Sequence, residues 1–242
     1  MPEDTVITPK FPATRWSVVL TASGHGVESH AALEELCQLY WFPLYAFARQ
    51  RGLTTEDAED QTQEFLAQVV GGGMLSTALP ERGKLRTYLL AAFQLDLIDA
   101  HRRSHREKRG GGITFVSLET LSAEDRFLTI SLHESPASAY DRAWAMTCLD
   151  TAVNLLAAEY ASRGRDPLFQ ALRSFLDPDL NGDYTVASKA IGLDTNAVRQ
   201  AVFRLRQRFR ILLRQTIADT LEHPSEAFIE EELTALRAAL MP

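Results

Sequence analysis

The stretch Gly182–Leu213, GDYTVASKAIGLDTNAVRQAVFRLRQRFRILL, has the pattern of two helices joined by a tight turn. Gly192 stands where such a turn needs a residue that tolerates a positive φ, and the small Ser188 lets the two helices approach. Leu193 is expected to fill the turn as an apolar plug, and Asp194 to cap the second helix by accepting from its free N–H groups. The spacing therefore predicts a helix-turn-helix.

The second of these helices has an apolar stripe and a basic face. The predicted buried stripe recurs at steps of four and three residues and consists of Val198, Val202, Leu205, Phe209 and Leu212. Six arginines lie off this stripe, with no acid between residues 195 and 215, namely Arg199, Arg204, Arg206, Arg208, Arg210 and Arg214. A helix of this kind suits entry into a major groove and contact with phosphates. We therefore expect a DNA-reading element rather than a solvated basic helix.

The composition limits the classes to which the protein can belong. Its 242 residues suffice for one or two domains, and no apolar run reaches membrane length, so we expect a cytoplasmic protein that does not bind a membrane. Cys37 and Cys148 lie in apolar helical patterns, which favours reduced core residues. The net charge is −7, yet 11 of the 25 Lys and Arg fall in His101–Arg109 and Arg199–Arg214. This sorting predicts two basic faces on an acidic protein.

Helical periodicity dominates the rest of the chain and predicts an all-α protein. We expect two helical domains joined by a flexible linker. The expected bounds are an N-terminal extension over 1–30, a first domain over 31–110, a linker over 111–138, a second domain over 139–222 and a C-terminal amphipathic helix over 223–242. That last helix is expected to pack on the second domain.

Two local signals place helices in the first domain. Pro43 must kink or split the helix that contains it. Thr54 and Asp57 have the spacing of a capping box, which predicts a helix that begins there and continues through Val70.

The acids of this helix are the remaining candidates for chemistry. Asp60 and Glu64 lie four positions apart, an arrangement that is mildly repulsive on a helix. Such a stripe is about equally consistent with two explanations. It binds a basic protein partner, or its acids only stabilise the start of the helix. His101 and His105 share helical spacing, but the cations beside them disfavour a metal ion. Because no set of groups converges, we expect neither an enzyme nor a cofactor or metal site.

Together these motifs resemble the extracytoplasmic-function branch of bacterial RNA polymerase sigma factors, within the sigma-70 family. Asp57–Phe65 reads DAEDQTQEF and is similar to the DAED-x-x-QE-x-F pattern of sigma domain two. The segment LRTYLLAAFQLDLIDAHRR ends in Asp-x-x-Arg-Arg, as that domain does, and YTVASKAIGLDTNAVRQAVFRLRQRF matches the helix-turn-helix of sigma domain four without a gap. The chain departs from the family in lacking a Leu-Pro-x-x-x-Arg start to domain four, and in having Ala100 where many relatives carry an aromatic residue.

The resemblance implies a factor that binds core RNA polymerase, recognises promoter DNA and initiates transcription. It implies that the clamp helices of the largest polymerase subunit dock on Asp57, Asp60, Gln63, Glu64 and Phe65. In domain two it implies contacts to the minus-ten motif from Tyr88, Phe93, Arg102, Arg103 and Arg106. In domain four it implies contacts to the minus-thirty-five motif from Asn196, Arg199, Gln200, Phe203, Arg204 and Arg206. Control by an anti-sigma factor or a kinase is left open.

Two alternatives remain at this point. A stand-alone helix-turn-helix transcriptional regulator would bind its DNA tightly without polymerase, and the acids at Asp60 and Glu64 would be dispensable. An adaptor that sequesters a regulator would keep its partner when Arg199 and Arg204 are lost.

Overall fold

The computed structural model describes residues 27–70, 84–104, 118–130, 133–177, 182–221 and 224–241. Within these residues the chain forms nine α-helices and no strand, so the predicted all-α class is confirmed. The helices are α1 (Val27–Gln50), α2 (Thr55–Val70), α3 (Leu85–Ser104), α4 (Leu118–Phe127), α5 (Pro136–Ser162), α6 (Asp166–Leu172), α7 (Tyr184–Ile191), α8 (Thr195–Ala218) and α9 (Glu226–Leu240). None of the helices described is both long and apolar enough to cross a membrane.

The chain divides into two compact units whose limits differ from the expected domain bounds. Unit 1 comprises Met1–Ala145 together with Ala218–Pro242, and unit 2 comprises Met146–Ile217. The expected boundary at residue 139 therefore moves to residue 146, and both positions lie within α5. The C-terminal helix belongs to unit 1. Nearly all of the expected N-terminal extension lies outside the described residues.

An aromatic core holds α1, α2 and α3 together in unit 1. The ring centroids of Phe65 and Phe93 are 5.0 Å apart, and those of Phe47 and Phe93 are 6.2 Å apart. All three side chains are buried. Helix α1 continues through Pro43, so the expected split does not occur. The core fixes which faces of α2 and α3 remain accessible.

The predicted cap at the start of α2 is confirmed. The backbone N–H of Asp57 donates to Thr54 Oγ1 at 3.1 Å, and the Thr54 hydroxyl donates to Asp57 Oδ2 at 2.8 Å. The cap fixes where α2 begins and therefore where its later acids point.

Helix α4 occupies part of the segment that we expected to be a flexible linker. Arg49 donates to both carboxylate oxygens of Glu124, at 2.9 and 2.7 Å, and the Tyr45 hydroxyl donates to Glu124 Oε2 at 2.5 Å. The guanidinium of Arg126 lies 4.0 Å from the centroid of the Phe42 ring. These contacts join α4 to α1, so the linker prediction is wrong for residues 118–127. The hydrogen bond from Arg49 also lowers the pKa of Glu124.

Helix α9 is amphipathic as predicted, but its buried acid pairs with residues of the expected first domain. Its buried face contains Ile229, Leu236 and Glu232. Glu232 forms ion pairs with Lys84, just before α3, and with Arg86 in the first turn of α3. The helix is therefore part of unit 1, because an acid on its buried face finds its partners there.

Candidate nucleic-acid interface

The turn between α7 and α8 has the predicted geometry. Gly192 has a φ of 68°, in the left-handed region that favours glycine. Asp194 Oδ1 accepts from the backbone N–H groups of Asn196 at 2.9 Å and of Ala197 at 3.0 Å. The predicted N-cap is therefore confirmed, and α8 starts at a fixed position relative to α7.

Two side chains near this turn act differently from the prediction. Ser188 donates its hydroxyl to the carbonyl of Leu193 at 2.5 Å, so it fixes the turn as well as allowing close approach. Leu193 is 41% exposed, and the prediction that it plugs the turn is wrong.

Asp183 caps α7 by accepting from the N–H groups of Thr185 and Val186, and these hydrogen bonds lower the pKa of the Asp183 carboxyl. This cap was not predicted, although an aspartate before a helix is a recognised signal.

The apolar stripe anchors α8 in unit 2. Val198, Val202, Leu205 and Leu212 are buried, as predicted, and Phe209 is half-buried. Because this side of the helix faces the core, the residues on the opposite side are held in water.

The outward face of α8 carries the side chains that we expected to contact DNA. Asn196, Arg199, Gln200, Phe203 and Arg204 are all exposed. At about 100° per residue, positions 196, 200 and 203 point in similar directions, with positions 199 and 204 on either side. Phe203 is 61% exposed, which is unusual for so large an apolar side chain. Amide, guanidinium and aromatic groups together offer hydrogen bonds and apolar contact to base edges.

Several arginines of α8 already have partners inside unit 2. The Arg199 guanidinium lies 5.7 Å from the centroid of the Tyr184 ring. Arg206 donates from Nε to the carbonyl of Phe175 at 3.0 Å, although its side chain is exposed. These contacts hold each guanidinium on a defined side of the helix. Arg204 and Arg210 are also exposed.

A groove of about 700 Å³ separates α2 from α3 on the surface of unit 1. Asp57, Asp60 and Glu64 line one wall, and Ile98 and Arg102 line the other. The acids of α2 therefore share one concave surface with the C-terminal half of α3.

Two glutamines of α2 form hydrogen bonds at or near this groove. Gln61 donates to Asp96 Oδ2 at 2.6 Å, which joins the two helices. Gln63, predicted to bind polymerase, is exposed and donates to Glu59 Oε1 at 3.1 Å.

The structure corrects two of the predicted contact residues. Phe93, expected to face DNA, is 0% exposed, and Phe65, expected to contact polymerase, is equally buried. Both were assigned from motif position, but their aromatic surface is used in the core of unit 1. Tyr88 is half-buried, and Arg102 is 72% exposed with Nη1 3.6 Å from Asp99 Oδ1.

Two exposed residues of α3 were not predicted, and two predicted arginines are not fully described. Leu95 and Ile98 are exposed apolar residues that we did not predict as contact residues. Their positions off the buried face of α3 were the signal in the sequence that could have identified them. The side chain of Arg103 and the whole of Arg106 lie outside what the structure describes.

Comparison of the chain with protein-family models, curated proteins and solved structures gave no match.

Proposed function

We propose that this chain is a sigma factor of the extracytoplasmic-function type. It binds core RNA polymerase in the cytoplasm, recognises promoter DNA and starts transcription, while the polymerase supplies the phosphoryl-transfer chemistry. One observation carries the proposal. Exposed residues of both motif sets, among them Asp60 and Arg102 in unit 1 and Arg199 in unit 2, lie on two different helical units in the order that the resemblance requires.

The DNA-reading part of the proposal is supported by unit 2. The capped start of α8 and its buried stripe hold Asn196, Arg199 and Gln200 outward, on the first turns of the helix. Recognition helices commonly contact base edges from these turns. Arginine and glutamine there suit guanine and adenine edges, and exposed arginines further along suit phosphates.

The polymerase-binding part is supported by unit 1. Asp60 and Glu64 are exposed on α2, four positions apart, and line the same groove. Two carboxylates held close together repel each other mildly, so a basic partner surface is stabilised by meeting both. Arg102 on the opposite wall remains accessible to a phosphate.

The first experiment is a pull-down of the full chain with core RNA polymerase, comparing wild type with the double variant Asp60→Ala/Glu64→Ala. The matched control is Glu226→Ala/Glu230→Ala. Its two glutamates are also exposed and four positions apart, so the net charge changes equally. We expect stoichiometric binding by wild type and control, and binding at least about tenfold weaker for the double variant, which corresponds to about 1.4 kcal/mol.

Failure of the folded wild-type chain to bind core polymerase would refute the proposal. The helix-turn-helix would then belong to a stand-alone regulator, which must bind its DNA site tightly without polymerase. Equal binding by both double variants would show that the acids of α2 are not the docking surface. A run-off transcription assay with core polymerase then checks promoter recognition directly.

A further inference from the structure

Two neighbouring acids of α9 contact residues at the start of α3. Helix α9 contains four glutamates and a single arginine. Lys84 Nζ lies 2.8 Å from Glu231 Oε1 and also contacts Glu232, while Arg86 Nε lies 3.0 Å from Glu232 Oε2. Glu232 is 1% exposed. Two carboxylates of α9 thus neutralise two neighbouring cations of unit 1.

The contact between α9 and the rest of unit 1 depends strongly on charge. Ile229 and Leu236 are the buried apolar residues of the helix, whereas its largest apolar residue, Phe228, is 51% exposed. Burial works to lower the pKa of Lys84, but its hydrogen bonds to Glu231 and Glu232 outweigh burial and raise it. Removing α9 would leave Lys84 without these two acids.

Two contacts with α5 are expected to hold Arg86 in place when α9 is absent. Its guanidinium lies 4.7 Å from the centroid of the Trp144 ring, and its Nη1 lies 2.6 Å from Asp141 Oδ1. Both groups belong to α5, so the orientation of Arg86 does not depend on Glu232 alone. Lys84 has its two described ion pairs with α9.

We propose that α9 is an autoinhibitory helix whose carboxylates occupy Lys84 at the start of α3 and keep it from the backbone phosphates of DNA. The inference rests on the proposed function, in which α3 contacts the promoter. Carboxylates and phosphates compete for the same cations, and duplex DNA offers one negative charge about every 1.7 Å. DNA that engages α3 therefore displaces α9, and an undisplaced α9 weakens binding of DNA by the free chain.

The test measures binding of the full-length free chain to a fluorescent DNA duplex of about 40 base pairs, roughly four helical turns. The variant is Glu231→Gln/Glu232→Gln, and the matched control is Glu226→Gln/Glu230→Gln on the same helix. At about 50 mM salt one extra phosphate contact raises affinity about tenfold. We expect a gain of at least that size over the control, together with a steeper salt dependence. Adding Lys84→Met should remove most of the gain.

Equal affinities for the double variant and the control would overturn the inference, because the acids would then act only through net charge. A gain that survives Lys84→Met would overturn it as well. If circular dichroism shows that the double variant is not folded, the single change Glu231→Gln replaces it, since the Glu231 side chain is 60% exposed. The expected gain is then smaller but still exceeds that of Glu230→Gln.

A second measurement uses the unmodified chain. A zero-length carbodiimide cross-link between Lys84 and Glu231, identified by mass spectrometry, reports that α9 is docked. Its yield should fall as DNA is added, and a yield that is constant at saturating DNA would contradict displacement.

The polymerase pull-down separates the two proposals. If the chain binds polymerase but the double variant gains no DNA affinity, the proposed function stands and the inhibitory role of α9 is refuted. If the double variant gains DNA affinity but the chain does not bind polymerase, the sigma-factor function is refuted and the inhibitory role of α9 stands.

Discussion

Arg208 donates to both carboxylate oxygens of Glu159, with its Nε 2.8 Å from Oε2. The pair joins α8 to α5 inside unit 2, and the hydrogen bond from Arg208 lowers the pKa of Glu159. An arginine that looked equivalent to its neighbours in the sequence therefore stabilises the fold. The basic row of α8 is not one uniform surface, and its members are expected to behave differently when replaced.

The contrast between Arg204 and Arg208 tests this difference. Arg204→Ala should weaken promoter binding by the polymerase complex by about 1–3 kcal/mol if the side chain pairs with a base, with unfolding unchanged. Arg208→Ala should lower the free energy of unfolding by only about 0.5–1 kcal/mol, because water weakens this partly exposed pair, and should leave DNA affinity nearly unchanged. Fluorescence anisotropy and thermal unfolding of both variants measure the two effects. Equal DNA-binding losses would contradict the assignment.

The positive φ of Gly192 predicts a backbone effect without a clash. A Cβ at this position would have no atom within 4 Å, so Gly192→Ala costs only conformational strain. We expect a loss of about 1 kcal/mol in unfolding free energy, and weaker DNA binding because the start of α8 shifts. Gly192→Asn is the control, since asparagine adopts this conformation more easily and should lose less. Denaturant titration distinguishes the two, and equal losses would argue against strain.

The burial of Phe93 predicts a stability defect rather than a contact defect. Phe93→Ala should lower the unfolding free energy by about 3–5 kcal/mol, because it empties the aromatic core between α1, α2 and α3. Arg102→Ala on the same helix should change stability by less than about 0.5 kcal/mol while weakening DNA binding. Thermal unfolding with a DNA-binding assay at low temperature checks both. A stable Phe93→Ala protein with a selective DNA defect would contradict the core position.

The pair of Arg49 and Glu124 predicts a pH-dependent contribution of α4. The pKa of Glu124 is lower in the folded protein than in the unfolded chain, so its stabilisation is complete above the unfolded value. That contribution is lost as the pH falls through the folded value. Glu124→Gln should therefore cost about 1–3 kcal/mol near neutral pH, and the difference from wild type should shrink below about pH 4.3.

Asp125→Asn is the matched control for this measurement. It makes the same kind of change on the neighbouring, exposed residue, so unfolding should hardly respond at any pH. Denaturant titrations at several pH values give the comparison. A Glu124→Gln penalty that is independent of pH would show that the pair is not the source of the effect.

Features that depend on neighbouring residues were predictable from the sequence. Gly192, Asp194 and the Thr54–Asp57 cap each act within a few residues, and the structure has them as expected. The stripe of α8 was readable for the same reason, because helical period alone assigns its faces. These local rules sufficed for the helix-turn-helix and for the exposed face of α8.

Features that depend on distant partners were not predictable in the same way. Helix α4 is short and polar, so its sequence resembles that of a linker. Its packing on α1 depends on the pair of Glu124 and Arg49, which lie 75 positions apart. The buried face of α9 contains Glu232, and hydropathy cannot tell which cations will pair with it. Motif position likewise placed Phe65 and Phe93 at contact surfaces, although the core of unit 1 uses both.

The ion pair between Lys84 and Glu231 spans 147 positions of the chain. At about 5–20 residues per second, a ribosome needs roughly 7–30 s to make the segment between them. Throughout that interval Lys84 has been synthesised and its acidic partners on α9 have not. A premature stop codon shortly before residue 226 would leave both recognition motifs intact and remove the acids that cover Lys84. Truncation there should change how the protein is controlled before it changes which DNA it recognises.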